Sequence, residues 1–345
     1  MDAPTARRAV DAAFRAAQAH GYTSIHLKYA GGEPTLNFGA LRAAQSRAQT
    51  LSAQTGIDLG VRIITNGIHI TDAQMEGFLA DDISVTLSLD GLARHNDVQR
   101  PLAGQNGSAF DRVDRTLDRL LRRGVLPDIC VTITKWNLDG LPTLIGYLLD
   151  QGLCFRLNFY RQPDPTTAGE MLDASQAQMI HGLRRAFRVI ESRLPQFSLL
   201  SNLADRADLR VPHLTACGAG RNYMAIDCDG SVCRCQMELA HPVSTIWAED
   251  PLAAMHADKE GLQNPPVDER DCRACVWRYR CGGGCPRLTF QRTGRFDARS
   301  PLCEVYQAIL PEVVRLEALR LLKFEEPFDL SVPLGQTEGR HSARV

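Results

Sequence analysis

No apolar run among the 345 residues approaches the roughly 18 needed to span a membrane. Charge of one sign is not in excess either: Lys plus Arg is 39, Asp plus Glu is 40, and the net charge is -1. That balance argues against a general binder of nucleic acid or of anionic membranes. The opening Met1-Asp2-Ala3-Pro4 has no basic n-region or apolar h-region, so no secretory signal is visible and a cytoplasmic chain is expected. The nine histidines form no His-x3-His pair. There is no Gly-x-Ser-x-Gly elbow and no Gly-x4-Gly-Lys loop. These absences set aside helical zinc proteases, serine hydrolases and P-loop nucleotide enzymes. What remains is a globular composition, 44% hydrophobic and 23% charged, long enough for two domains or one with an appendage.

Cysteine is abundant by contrast, at 11 residues. Cytosolic chains rarely keep structural disulfides, so clustered cysteines there indicate metal or redox sites. Cys130 and Cys154 stand alone in apolar segments and are expected to be buried small hydrophobes. The other nine lie between Cys217 and Cys303.

Ahead of them the pattern alternates strand and helix. Helices are predicted over 5–20, 38–53, 71–80, 110–123, 141–150 and 174–193, and strands over 24–30, 59–65, 83–89, 129–134 and 154–159. Val10, Phe14 and Ala17 share a face of the first helix, and Gly21 stops it. Repeated strand–helix units with nearly continuous apolar strands indicate an α/β protein with a parallel sheet covered by helices. Such sheets bind ligands at the carboxyl ends of their strands.

Three strand-end loops stand out. Gly31-Gly32-Glu33-Pro34 follows the first strand; its glycines admit close backbone approach, and Glu33 can accept hydrogen bonds from an ammonium group. Thr65-Asn66-Gly67 follows the second. Ser88-Leu89-Asp90-Gly91 follows the third, with Arg100 downstream; Ser88 and Asp90 can meet ribose hydroxyls, and Arg100 a carboxylate. Each loop alone is an ordinary turn. Three in succession are harder to explain as turns.

In their order and spacing these motifs resemble the radical S-adenosylmethionine enzymes, over residues 5 to 194. The resemblance implies a (β/α)6 partial barrel lacking its first strand, with five strands present. It implies that Gly31, Gly32, Glu33 and Pro34 meet the methionine amino group, that Thr65 and Asn66 line the cofactor site, and that Ser88, Asp90 and Arg100 contact its ribose and carboxylate.

Residues 195–215 read as a connector. Then come Cys217-x12-Gly230-x4-Cys235, Cys272-x2-Cys275-x5-Cys281-x3-Cys285, and Cys303. Asp229-Gly230 is a two-residue hairpin signal that sets Cys235 on a short strand, and Gly282-Gly283-Gly284 lets the backbone wrap a metal centre. One Cys-x2-Cys would favour zinc; a widely separated fourth ligand suits iron–sulfur clusters better. The seven-cysteine order resembles the SPASM domain of radical S-adenosylmethionine peptide maturases. By that resemblance Cys272, Cys275, Cys281 and Cys303 hold an outer [4Fe–4S] cluster. Cys217, Cys235 and Cys285 hold an inner one. Its fourth ligand is expected to be Cys233, with Cys228 or an open iron as alternatives. Gln236 stands where related sulfatase-maturing enzymes carry an acid, which argues against that substrate type. The expected organisation is 1–194 partial barrel, 195–215 connector, 216–305 cysteine-rich SPASM domain, 306–326 amphipathic C-terminal helix, and 327–345 disordered tail.

The resemblance also implies a Cys-x3-Cys-x2-Cys triplet for the cluster that cleaves S-adenosylmethionine, and these residues contain none. A third [4Fe–4S] cluster is expected only if a missing N-terminal segment supplies its ligands, and the chain as given is expected not to form the radical. The expected function is a maturase that abstracts hydrogen from a ribosomally made precursor peptide, served by a donor such as flavodoxin or ferredoxin. No catalytic residue is named. The alternatives are an iron–sulfur-stabilised, non-catalytic peptide scaffold and a zinc-stabilised interaction module.

Overall fold

The computed structural model describes residues 1–104, 106–162 and 172–324. Helix α1 (Ala3–Ala19) is started by Asp2, whose side chain accepts the Thr5 N–H at 2.8 Å, and it ends before Gly21 at φ 66°. It buries Ala6, Val10, Phe14 and Ala17, the expected face. Burying Val10 or Phe14 contributes about 1.5–3 kcal/mol.

Five strands follow: β1 (Ser24–Tyr29), β2 (Asp58–Thr65), β3 (Ser84–Ser88), β4 (Asp128–Ile133) and β5 (Phe155–Phe159). They form a parallel sheet in the order β1-β2-β3-β4-β5. Between and after them lie α2 (Phe38–Thr55), α3 (Asp72–Ala80), α4 (Arg94–Gln99), α5 (Ala109–Arg122), α6 (Leu141–Asp150) and α7 (Gln176–Ser192). Thr71/Gln74 and Ser175/Gln178 form capping boxes that fix the starts of α3 and α7. The α/β class and the incomplete parallel barrel of five strands are as expected.

The expectation of nearly continuous apolar strands is corrected. Residues alternate, with Val61, Ile63, Val85, Leu87, Ile129, Val131, Phe155 and Leu157 buried under the helices. The intervening positions are His26, Lys28, Arg62, Thr86, Cys130, Arg156 and Asn158, and the register aligns Lys28 with Arg62 and Cys130 with Arg156. Helices cover one face only, so the other, concave face is free to be polar. Cys130 and Cys154 are therefore half-buried, not buried, and Cys130 Sγ accepts the Asn158 amide at 3.0 Å.

No regular element follows α7 until residue 225, as the weak pattern predicted. Part of this stretch runs along β5: Leu157 N–H donates to Asn202 O at 2.9 Å, and Asp205 N–H to Leu157 O at 3.1 Å.

The cysteine-rich part opens with an antiparallel sheet of β6 (Ala225–Ile226), β7 (Ser231–Cys233) and β8 (Ser244–Thr245). The hairpin is longer than the expected two-residue turn. Gly230 N–H donates to Asp227 O at 3.1 Å and Asp227 N–H to Ser231 O at 2.9 Å, with Gly230 at φ 89°. This is a three-residue turn closed by a left-handed glycine. Consequently Cys228 sits exposed on the turn, and Cys235 lies two residues beyond β7.

Helices α8 (Pro251–Ala257), α9 (Arg278–Cys281) and α10 (Pro286–Thr293) precede α11 (Cys303–Phe324). Helix α11 starts three residues before the expected 306 and returns Val305, Ile309, Leu310, Val313 and Leu316 to the barrel core. The expected tail 327–345, with 325 and 326, lies outside the described residues. Among the described residues no helix is long and apolar enough to cross a membrane.

Candidate functional site

A cleft of about 390 Å3 at the carboxyl ends of β1–β3 is lined by Glu33, Asn66, Ile68, His69, Asn96, Arg100 and Arg112 among others. Its size falls within the roughly 300–1,000 Å3 of small-ligand sites. Gly31 takes φ 124°, a turn reserved for glycine, and delivers Glu33 to the cleft. Glu33 Oε1 accepts the Thr35 N–H at 3.1 Å, the Thr35 hydroxyl at 2.7 Å and the Thr65 hydroxyl at 2.7 Å, while Oε2 accepts only the Asn66 N–H at 2.8 Å. Oε1 is saturated, which leaves Oε2 as the acceptor for an incoming ammonium. Pro34 starts the short 3-10 turn Pro34–Asn37, and no atom lies within 4 Å of where a Gly32 Cβ would stand.

The third loop divides. Asp90 is 1% exposed, with Oδ1 accepting the Thr132 N–H at 2.7 Å and Oδ2 the Gln99 amide at 2.6 Å and Arg100 Nε at 2.5 Å. Its carboxylate is thus spent on scaffold. Ser88, at the end of β3, is buried and is not part of the cleft wall. Arg100 lines the cleft, and with Nε given to Asp90 its two terminal guanidinium nitrogens remain to fork a carboxylate. Asn96 was missed by sequence reasoning, although the His95-Asn96-Asp97 run was visible. Its Oδ1 accepts the Asp90 N–H at 3.2 Å, and its Nδ2 is buried with no partner in the cleft wall. An orphaned donor there fits an acceptor-rich ligand such as a nucleoside.

The cysteines gather in two groups. Cys272, Cys275, Cys281 and Cys303, the expected outer set, line one small cavity with Trp277, Arg299 and Tyr306. Burial raises the thiols of Cys272 and Cys303, and pushes Cys281 up to about 11. Cys217 packs with Cys235, whose thiol is raised first by burial, with Cys285 and Cys217 as charged neighbours. Those three are the expected inner set. Cys233 differs: its thiol points at Leu239 O, 3.8 Å away, and burial with Asp227, Asp229, Glu238 and Cys235 governs it. Gln236 accepts from the Tyr223 hydroxyl at 2.9 Å beside the inner set.

Arg270 tests whether these residues fit anionic clusters. It is 2% exposed and donates only to neutral acceptors: Pro265 O at 2.9 Å, Gly283 O at 3.2 Å and Asn264 Oδ1 at 2.9 Å. A guanidinium keeps its proton even when buried, so a charge in this position requires an anion. Its titratable neighbours are Cys272 and Cys281 of the outer set, Cys217 and Cys285 of the inner, and the more distant carboxylate of Asp297. Thiolate-ligated clusters on either side would balance it. Among the described residues no three His, Cys, Asp or Glu side chains are spaced to hold a single metal ion. A four-iron cube seats each thiolate on its own corner, a wider arrangement.

No family model matches the chain. An uncharacterised protein of Archaeoglobus fulgidus is 23% identical over 288 residues, covering 79% of this chain and 68% of that protein. The fold is similar to that of anSMEcpe with bound AdoMet, at TM-score 0.72 and 15% identity, covering 90% of this chain and 89% of the other. The same protein with bound AdoMet and Cp18Cys peptide gives TM-score 0.70 at 15% identity, covering 90% of each chain. Streptococcus suis SuiB bound to precursor peptide SuiA gives TM-score 0.59 at 17% identity, covering 87% of this chain and 69% of that one.

Proposed function

We propose that the chain is a radical S-adenosylmethionine peptide maturase with two auxiliary [4Fe–4S] clusters. The observation that carries this is the conjunction of two sites in one fold. One is a nucleoside-sized cleft with a carboxylate oxygen that has spare acceptor capacity, a guanidinium whose terminal nitrogens are uncommitted and an orphaned amide; the other is a paired set of cysteines around a buried arginine. Structural neighbours holding AdoMet and peptides support the same reading.

Glu33 Oε2 would receive the methionine ammonium, Arg100 its carboxylate, and Asn96 Nδ2 an acceptor of the nucleoside. Cys272, Cys275, Cys281 and Cys303 would hold the outer cluster, and Cys217, Cys235 and Cys285 the inner. The fourth inner ligand, with Cys233 expected from spacing, stays a proposal. Bound S-adenosylmethionine, cleaved by one electron from a third cluster whose Cys-x3-Cys-x2-Cys ligands these residues do not contain, would leave methionine and supply a 5′-deoxyadenosyl radical able to remove hydrogen from a peptide. The residues of this chain bind and orient the cofactor and the peptide.

A second reading, a cluster-stabilised peptide scaffold without radical chemistry, is favoured by the lack of a Cys-x3-Cys-x2-Cys run in these residues. Two measurements on the anaerobically reconstituted chain decide the matter. Iron and acid-labile sulfide sufficient for two clusters, with saturable S-adenosylmethionine binding, supports the site assignment; bound zinc without sulfide overturns it. Release of 5′-deoxyadenosine supports the maturase, and its absence from a chain that holds both clusters and binds S-adenosylmethionine supports the scaffold.

A further inference from the structure

The concave face of the sheet carries an excess of positive charge. Lys28 on β1 and Arg62 on β2 are register neighbours, and Arg156 on β5 lies across the same face. Arg206 projects from the stretch that borders β5. Asp128 answers two of these cations, pairing with Arg62 and standing 3.6 Å from Arg156. Asp58 lies at the far end of β2, six residues behind the cleft-side Ile64. Lys28 has no ion pair or hydrogen bond among the described residues. Arg206 Nε is buried without a partner. Arg62, Arg156 and Arg206 are cationic neighbours of Lys28, so the cluster repels itself. Arg206 in turn neighbours Asp205, which pairs with Arg161, and Cys285 and Cys217, so the cationic track leads from β1 to the inner cysteines.

Cations that outnumber the anions on an open face cost stability, and an anionic occupant relieves that cost. We propose that the peptide received by this face is acidic where it crosses the sheet, its carboxylates meeting Lys28 and Arg206, with Arg156 at the rim. The inference rests on the peptide-maturase reading and names its substrate class. Arg206 then brings an acidic residue of the peptide beside the inner cysteines. A peptide fits better than nucleic acid because the cations form a short cross-sheet track and the chain as a whole has a net charge of -1.

The test uses the full reconstituted chain and two short fluorescent peptides, one with alternating glutamates and one with glutamines in their place, read by anisotropy. The glutamate peptide is expected to bind about tenfold tighter, a preference that fades with salt. Lys28→Gln and Arg206→Gln should each erase most of that preference, and Lys28→Arg should keep it. Lys28→Glu should invert it toward a lysine peptide. Lys28 opens to solvent, so its variants keep the fold, as thermal melting will show even if Arg206→Gln does not. Equal binding of the two peptides, or a preference untouched in Lys28→Gln, overturns the proposal. So does tighter binding of a single-stranded oligonucleotide that is lost in the same variants. If wild type binds S-adenosylmethionine and iron yet ignores peptide charge, this inference alone fails. If it binds neither cofactor nor iron, the function on which it rests fails as well.

Discussion

Arg270 Nη1 donates to the carbonyl of Gly283 at 3.2 Å, and a Cβ on Gly283 would stand 2.7 Å from that same nitrogen. The glycine between two cluster-set cysteines is thus shaped by the arginine that lies against it. Its φ of 77° makes a side chain there strained as well as crowded. Gly283→Ala is expected to destabilise the chain by about 1–3 kcal/mol. Urea unfolding followed by far-UV circular dichroism measures this; an unchanged midpoint would show that Arg270 moves aside freely.

The charge of Arg270 should matter beyond its hydrogen bonds. Arg270→Gln removes the cation between the two cysteine sets and is expected to reduce iron and sulfide retention at both. Arg270→Lys keeps the charge and should retain most of both. Iron and sulfide assays with low-temperature EPR read the outcome. Equal loss in the two variants would reassign Arg270 to a purely structural fork.

At the cleft, Glu33→Gln replaces a carboxylate by a neutral amide, with Oε2 the atom assigned to the ammonium. S-adenosylmethionine affinity is expected to fall by roughly tenfold or more, equivalent to about 1.4 kcal/mol. Equilibrium dialysis measures it. Asn96→Ala should weaken binding less, and Asp90→Asn should act on stability through Thr132 and on binding only indirectly, by loosening Arg100.

A pH effect is expected at the junction of the hairpin and α8. Backbone bonding to Glu260, then the Arg234 partner, holds the Asp258 carboxyl below its usual range. A carboxyl lowered on folding stabilises the chain fully above its unfolded value, and that contribution disappears as pH falls through the folded value. Wild type should therefore lose its advantage over Asp258→Asn below about pH 4. Melting temperatures of both proteins across this range give the comparison; a constant difference down to pH 3 would contradict it.

Strand and helix positions were legible because Gly21 marks a helix end in the sequence and the apolar stripes are regular; Thr71 and Ser175, read as lying inside their helices, cap them. The gathering of Cys272, Cys275 and Cys281 was legible because close spacing leaves their thiols little freedom, whereas Cys303, far along the chain, joined them only through the family resemblance. The polar concave face was harder to read. Single Arg and Lys residues inside apolar strands look like noise until the register aligns them. Asp90 looked like a ligand-facing group because its partner Thr132 is 42 residues away, beyond any local pattern. The orientation of Cys233 depends on a turn whose extra residue is invisible in the dipeptide Asp229-Gly230.

The two margins of the sheet are unlike. Along β5 the hydrogen-bonding groups of Leu157 are already taken by Asn202 and Asp205. Along β1, the last strand on the other side, no described backbone pairs with the outer edge. Extension by a further strand is therefore directional: it can begin only beside β1, where that strand would border Lys28 and become the near wall of the cationic face. What joins there would change the depth of the half-barrel without disturbing its far side.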